Sequence, residues 1–163
     1  MTQTQFPAPI KSPIRHVKDE WIDYNGHLNM AYYNVLFDGC VDEAFELVGL
    51  GSDYVKERNC SFFTAEVHVC YVRELAAGDP VIGTLQLVDF DEKRAHFFQE
   101  LYHADEGWLS ATSEQMSLHV DMETKKVSPW PEDIHAGIAA MLEAHKDLAV
   151  PDRVGRKIEI VRK

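Results

Sequence analysis

Seven consecutive residues concentrate the reactive chemistry of this sequence: Asp23-Tyr24-Asn25-Gly26-His27-Leu28-Asn29. They bring a carboxylate, an imidazole and an amide into one turn. Asn25-Gly26 is the turn signal, because both residues tolerate positive φ. An apolar stretch with helical spacing follows, which makes Asn29 the N-cap. The first N–H groups of a helix lack intrahelical partners and carry the positive end of its dipole. Such amides can stabilise a developing oxyanion, and a carboxylate beside them can act as nucleophile or general base on the same carbonyl. A plainer reading is also open, with Asp23 a turn residue, Asn29 a cap and His27 a packed surface histidine.

The elements that position this turn follow from periodicity. Met30, Tyr33, Phe37, Val41, Ala44, Phe45 and Val48 recur at three- and four-residue steps, predicting a helix over Met30–Val48 that stops at Gly49 and Gly51. Gly39 inside it costs ~1 kcal/mol relative to Ala, which predicts a close backbone approach by a neighbouring element. A short strand over Ile14–Lys18 precedes the turn, after an extended lead with Pro7, Pro9 and Pro13. Beyond the helix the period drops to two. Strands are predicted over 63–74, 81–90, 94–103 and 108–122, joined in order as an antiparallel meander. In the first of them Ala65, Val67, Val69 and Tyr71 share one face and Glu66, His68, Cys70 and Val72 the other. Pro129, Pro131, Glu132 and Asp133 open a second helix reaching about Lys146, and alternation over Lys157–Arg162 suggests an edge strand. The fold class is α+β: a curved antiparallel sheet of five or six strands burying one long helix. Periodicity leaves open whether the sheet wraps the helix or the helix lies across it. The expected organisation is one domain over 1–163, with a core at about 12–125 and a C-terminal helix and tail at 128–163.

Composition narrows the function. The 163 residues carry 27 acidic and 16 basic side chains, a formal charge of -11. That balance argues against nucleic acid, whose binding needs basic surface to displace phosphate counterions, and against a polybasic membrane anchor. No apolar run approaches a membrane span, and the first residues do not read as a signal peptide. Cys40, Cys60 and Cys70 form no metal or CxxC spacing and read as reduced thiols of a cytoplasmic protein. Ser117, His119 and Asp121 alternate along one strand, about 6.6 Å apart, too far for a triad. Glu66 and His68 share a strand face without a metal-binding spacing, and no Gly-rich phosphate loop exists. No cofactor or metal is expected.

The run Asp23 to Tyr33 resembles the D-x-x-G-H-x-N-x-x-x-Y signature of hotdog-fold acyl-CoA thioesterases of the 4-hydroxybenzoyl-CoA thioesterase-like superfamily. Trp21 to Met30, Ala111 to Met116 and Leu118 to Asp121 are similar to the betainyl-CoA thioesterases of carnitine breakdown. The resemblance implies a hotdog fold wrapped around the Met30–Val48 helix. It implies a homodimer or dimer of dimers whose sheets join edge to edge, with active sites at the interface. It implies Asp23 as the catalytic carboxylate, the N–H near Met30 as oxyanion donor, and His27 and Asn29 as orienting residues. Many relatives carry a second asparagine where this chain has Met30, so a side-chain amide found there is absent here. The implied substrate is a small acyl-CoA, with betainyl-CoA foremost. The other readings are a non-catalytic acyl-CoA-binding module and a thioesterase for another short, medium-chain or aromatic acyl group. A quaternary ammonium acyl group calls for aromatic walls. The candidate substrate-facing residues are Trp21, Tyr24, Tyr33, Glu66 and Trp108, and Arg73, Lys93 and Arg94 are candidates for the CoA phosphates.

Overall fold

The computed structural model describes residues 6–163. In chain order the elements are β1 (Ile10–Lys11), β2 (Arg15–His16), a 3-10 turn (Asp19–Trp21), α1 (Met30–Glu46), α2 (Ser52–Arg58), β3 (Cys60–Tyr71), β4 (Pro80–Phe90), β5 (Arg94–His103), β6 (Leu109–Asp121), β7 (Lys126–Val127) and α3 (Glu132–His145). Four long strands run β4-β5-β6-β3, every neighbouring pair antiparallel. The two-residue strands β1 and β2 flank β4, and β7 flanks β6. The α+β class and the sheet packed on a long helix are thus as expected, with four long strands and three short ones in place of five or six.

Strand adjacency differs from the predicted meander. β4, β5 and β6 do follow one another, but β3 lies beside β6, not β4. The link Val72–Asp79 carries the chain back past β6 and β5 to β4. The strand predicted over Lys157–Arg162 does not form; those residues are exposed and unpaired. The strand predicted over Ile14–Lys18 is reduced to Arg15–His16.

The long helix α1 buries Tyr33, Leu36, Phe37, Cys40, Val41, Ala44 and Phe45. Removing a Phe the size of Phe37 or Phe45 from water contributes roughly 1.5–3 kcal/mol. Its other flank stays open, with Met30 65% and Val35 51% exposed. At the C-terminal end of α1, Phe45 and Val48 join Leu85 and Leu87 of β4 and Ile134, Ile138 and Met141 of α3 in one apolar cluster. The C-terminal helix therefore shares the core rather than lying outside it. Two glycines permit close packing. An added Cβ at Gly83 would stand 2.4 Å from Cys40 Sγ, so its absence lets α1 settle on β4. At Gly39 the close neighbour is the Arg15 guanidinium, 3.1 Å from a would-be Cβ, and not the backbone that the sequence suggested. Arg15 bonds Glu43 one turn further along, at 2.6 Å. No helix among the described residues is long and apolar enough to cross a membrane.

Candidate active site

The turn before α1 is held at both ends and open in the middle. A bridge pairs Ile22 with Leu28. Inside it Asp23 N–H donates to the His27 carbonyl (3.1 Å) and Gly26 N–H to the Asp23 carbonyl (2.9 Å). Gly26 has φ +84°, which a side chain would strain. Leu28 is buried and donates its N–H to the Leu75 carbonyl at 2.8 Å, tying the turn to the link after β3. Asn29 N–H donates to the Trp21 carbonyl at 2.9 Å. Tyr24, at the tip, is 97% exposed.

Within this frame Asp23 is oriented through both oxygens. Oδ1 accepts the Asn25 N–H at 2.8 Å, and Oδ2 faces the Asn29 Nδ2 donor at 3.4 Å. Asn29 also caps α1, its Oδ1 accepting the Ala31 N–H at 3.0 Å, while its carbonyl accepts the Tyr32 N–H. One side chain thus ties the carboxylate to the helix start. The Met30 N–H, between these bonded amides, donates to no acceptor among the described residues.

A cavity of about 460 Å³ opens over this group. Its walls are the turn, the first turn of α1 with Tyr33, and the chain from Tyr71 to Glu74. The Tyr71 hydroxyl donates to the Met30 carbonyl at 3.0 Å, and its ring meets Tyr33 edge-on at 5.0 Å. Burial raises the Tyr33 phenol above its ordinary pKa, opposed by its Ser110 and Leu75 hydrogen-bond partners and reinforced by the Glu74 charge. Arg73 lies on the Trp108 ring, Cζ 4.0 Å from the centroid, and Trp108 Nε1 donates to Glu106.

Of the residues singled out in the sequence, Asp23, Tyr24, His27, Asn29, Met30, Tyr33 and Arg73 line this cavity. Trp21 sits behind it, stacked on Tyr32 at 5.6 Å, and Trp108 supports Arg73. Glu66 lies elsewhere. It borders a second cavity of about 320 Å³ with His68, His96 and Glu114, where His96 Nε2 and Glu114 Oε1 are 2.8 Å apart. Lys93, in the β4–β5 turn, and Arg94, the first residue of β5, lie outside the first cavity, with Arg94 paired to Asp91. Tyr71 and Glu74 are cavity residues that sequence reasoning missed. His119 accepts from the Tyr54 hydroxyl at Nε2 (2.8 Å) and donates to the Ser128 carbonyl from Nδ1 (3.0 Å), and the buried Ser117 hydroxyl has no partner, so no triad forms. No three His, Cys, Asp or Glu side chains among the described residues converge as a metal site.

Known proteins resemble this chain over most of its length. The betainyl-CoA thioesterase of Pseudomonas aeruginosa is 38% identical over 142 residues, 87% of this chain and 89% of that protein. The L-carnitine dehydrogenase/betainyl-CoA thioesterase of Rhizobium meliloti is 37% identical over 151 residues, 93% of this chain; the chain spans only 30% of that longer relative. A hypothetical protein of Staphylococcus aureus, solved in complex with CoA, superimposes with a TM-score of 0.87 at 30% identity, covering 94% of this chain and 96% of that one. The expected hotdog arrangement is the one found. The family model described as the thioesterase-like superfamily matches residues 17–138, and the chain belongs to that superfamily.

Proposed function

We propose that this chain hydrolyses a small acyl-CoA thioester, with betainyl-CoA the foremost substrate. The observation that carries the reading is the shared cavity of the Asp23 carboxylate and the unpaired Met30 N–H. The relatives named for betainyl-CoA support the choice of acyl group.

In this reading Asp23 is the general base. Both of its oxygens face donors, which hold the carboxylate in place to accept a proton from water. Water adds to the thioester carbonyl as Asp23 takes its proton, and the Met30 N–H receives the oxyanion at the positive end of α1. Collapse of the tetrahedral intermediate breaks the carbon–sulfur bond. The proton held by Asp23 passes to the departing CoA thiolate, and the carboxylic acid formed releases its own proton to solvent and leaves as its carboxylate. Asn29 aims the carboxylate and His27 shapes the wall beside it. Arg73, raised on Trp108, is the cation offered to CoA. Reduced Cys40, Cys60 and Cys70 suit a cytoplasmic enzyme.

The partner in this reading is a second copy. β3 has twelve residues, pairs only with β6 among the described residues, and exposes Phe63, Val67 and Tyr71. An edge of that length and apolarity is a template for strand pairing. Sedimentation that finds only monomer at micromolar concentration removes this part of the proposal.

The activity test is thiol release from a panel of acyl-CoAs. Betainyl-CoA is expected to be turned over, and Asp23→Asn to lower kcat at least about a hundred-fold. Hydrolysis of no member of the panel, or an Asp23→Asn variant as fast as the parent, ends the reading.

A further inference from the structure

Two features of the first cavity have no role in the mechanism above. One is the aromatic corner of Tyr33 and Tyr71, whose ring centroids stand 5.0 Å apart at 77°. The other is Glu74, which lines the same cavity, is exposed, and takes no ion pair or side-chain hydrogen bond among the described residues. We propose that Tyr71 and Glu74, with Tyr33 behind them, recognise the acyl group by its positive charge and make the enzyme selective for a quaternary ammonium over a neutral group of the same shape. This rests on the thioesterase reading and adds to it the residues that set specificity.

The geometry has the required scale. In an acyl group of the betaine type the cationic nitrogen is two bonds from the carbonyl carbon, about 2.5 Å away. A carbonyl held by the Met30 N–H therefore places the cation beside the first turn of α1. The Tyr71 hydroxyl is bonded to the carbonyl of that same residue at 3.0 Å, which fixes its ring at the helix start. A cation within about 6 Å of a Tyr centroid is attracted by the ring face, and a quaternary ammonium, which cannot donate hydrogen bonds, depends on such contacts.

The charges facing the cavity agree. Asp23 and Glu74 are the carboxylates, Arg73 the cation and His27 the imidazole. The Arg73 guanidinium is engaged with Trp108, and the structure pairs it with neither carboxylate. Glu74 is close enough to Tyr33 for its field to add to the rise that burial causes in the phenol pKa. That arrangement favours a cationic acyl group and opposes an anionic one. Asp23 cannot supply this selection alone, because its charge is consumed when it takes the proton from water.

The test compares betainyl-CoA with 3,3-dimethylbutanoyl-CoA, in which carbon replaces the cationic nitrogen and the shape is kept. The readout is the ratio of their kcat/KM values, which a general structural defect does not move. The parent protein is expected to favour betainyl-CoA by at least about ten-fold. Glu74→Gln, isosteric and exposed, is expected to reduce the ratio about ten-fold. Tyr71→Leu should reduce it about five-fold, while Tyr71→Phe, which keeps the ring, should hold it within about two-fold. Equal turnover of both substrates by the parent overturns the proposal and leaves thioester hydrolysis standing. A ratio unchanged in Glu74→Gln and Tyr71→Leu overturns it as well. Failure of the parent to hydrolyse either compound removes the substrate assignment and this proposal together. Should Tyr71→Leu not fold, Glu74→Gln decides the matter, and a ratio it leaves unchanged overturns the proposal.

Discussion

Asn29 joins two jobs that substitution can separate. Its Oδ1 caps α1 through the Ala31 N–H at 3.0 Å, and its Nδ2 faces Asp23 Oδ2 at 3.4 Å. Asn29→Ala removes both. Loss of the cap costs about 1 kcal/mol of stability, and the freed carboxylate lowers kcat by about ten-fold through lost orientation. Asn29→Asp keeps a capping oxygen, and Asp caps as well as Asn, so stability should stay within about 0.5 kcal/mol of the parent. It sets a second carboxylate against Asp23, however. Two unit charges at 4 Å repel by about 1 kcal/mol in water and about 4 kcal/mol at the dielectric of a protein surface. Asp23 is only partly buried, so about 1.5 kcal/mol is the working figure. Repulsion of that size pushes the Asp23 carboxylate out of the position the reaction needs, and kcat is expected to fall about ten-fold at nearly parental stability. His27, Arg73 and Glu74 face the same cavity and are unchanged in both variants. The assays are urea denaturation and thiol release. An Asn29→Asp or Asn29→Ala enzyme with parental kcat refutes the role given to this pair.

Gly83→Ala is expected to destabilise the protein by about 1–3 kcal/mol, because the new methyl would fall 2.4 Å from Cys40 Sγ. Adding Cys40→Ala should restore most of that loss in chemical denaturation, and independent, additive effects would contradict the contact. His145 accepts the Leu87 N–H at Nδ1 (2.9 Å) and donates from Nε2 to the Pro7 carbonyl (2.9 Å), and burial lowers its pKa. The unfolded chain then binds a proton that the folded one refuses, so stability is complete above the unfolded histidine value of about 6.5 and falls as pH drops below it. His119, lowered by burial too, adds to the same slope. His145→Gln should flatten the dependence of unfolding free energy on pH between 7 and 5, and an unchanged slope would count against this assignment. Arg73→Ala should raise KM for acyl-CoA about ten-fold and leave the matching acyl-pantetheine unaffected; equal effects on both would show that Arg73 does not meet the nucleotide half of CoA.

What could be read from the sequence follows the range of the interactions involved. The Asp23–Asn29 turn and the start of α1 depend on hydrogen bonds between residues a few positions apart, and Asn29 caps the helix as its type and place suggest. β4, β5 and β6 are joined by short links and sit side by side as expected. β3 does not, because alternation assigns the faces of a strand but not its neighbours, and the eight residues from Val72 to Asp79 are long enough to cross the sheet. The seven-residue α2 buries one side chain, Tyr54, too little for a helical period to register. The alternation in Lys157–Arg162 marks two faces without supplying a partner, and the segment stays unpaired and exposed.

The same distinction divides the cavity. The half contributed by the turn was visible as a motif, and the half contributed by Tyr71 to Glu74 was not, since only the placement of β3 beside β6 brings that chain back over the helix start. Glu66 shows how the faces decide the outcome. The β3–β6 pairing slips by one residue between Thr64 and Glu66, and from there Glu66 and His68 face His96 and Glu114 while Val69 and Tyr71 face the helix side. Alternation separates Glu66 and His68 from Val69 and Tyr71 but does not say which face holds the cavity. Glu66, expected to face substrate, lies on the other face, and residue type alone does not single out Tyr71. Tyr71 bonded to the Met30 carbonyl resolves that choice, because it fastens the inner face of β3 to the first turn of α1. The groups proposed to bind the acyl head, Tyr71 and Glu74, thus sit where β3 passes into the crossover, and a substitution that loosens Val72–Asp79 should weaken substrate recognition before it disturbs the turn that carries Asp23.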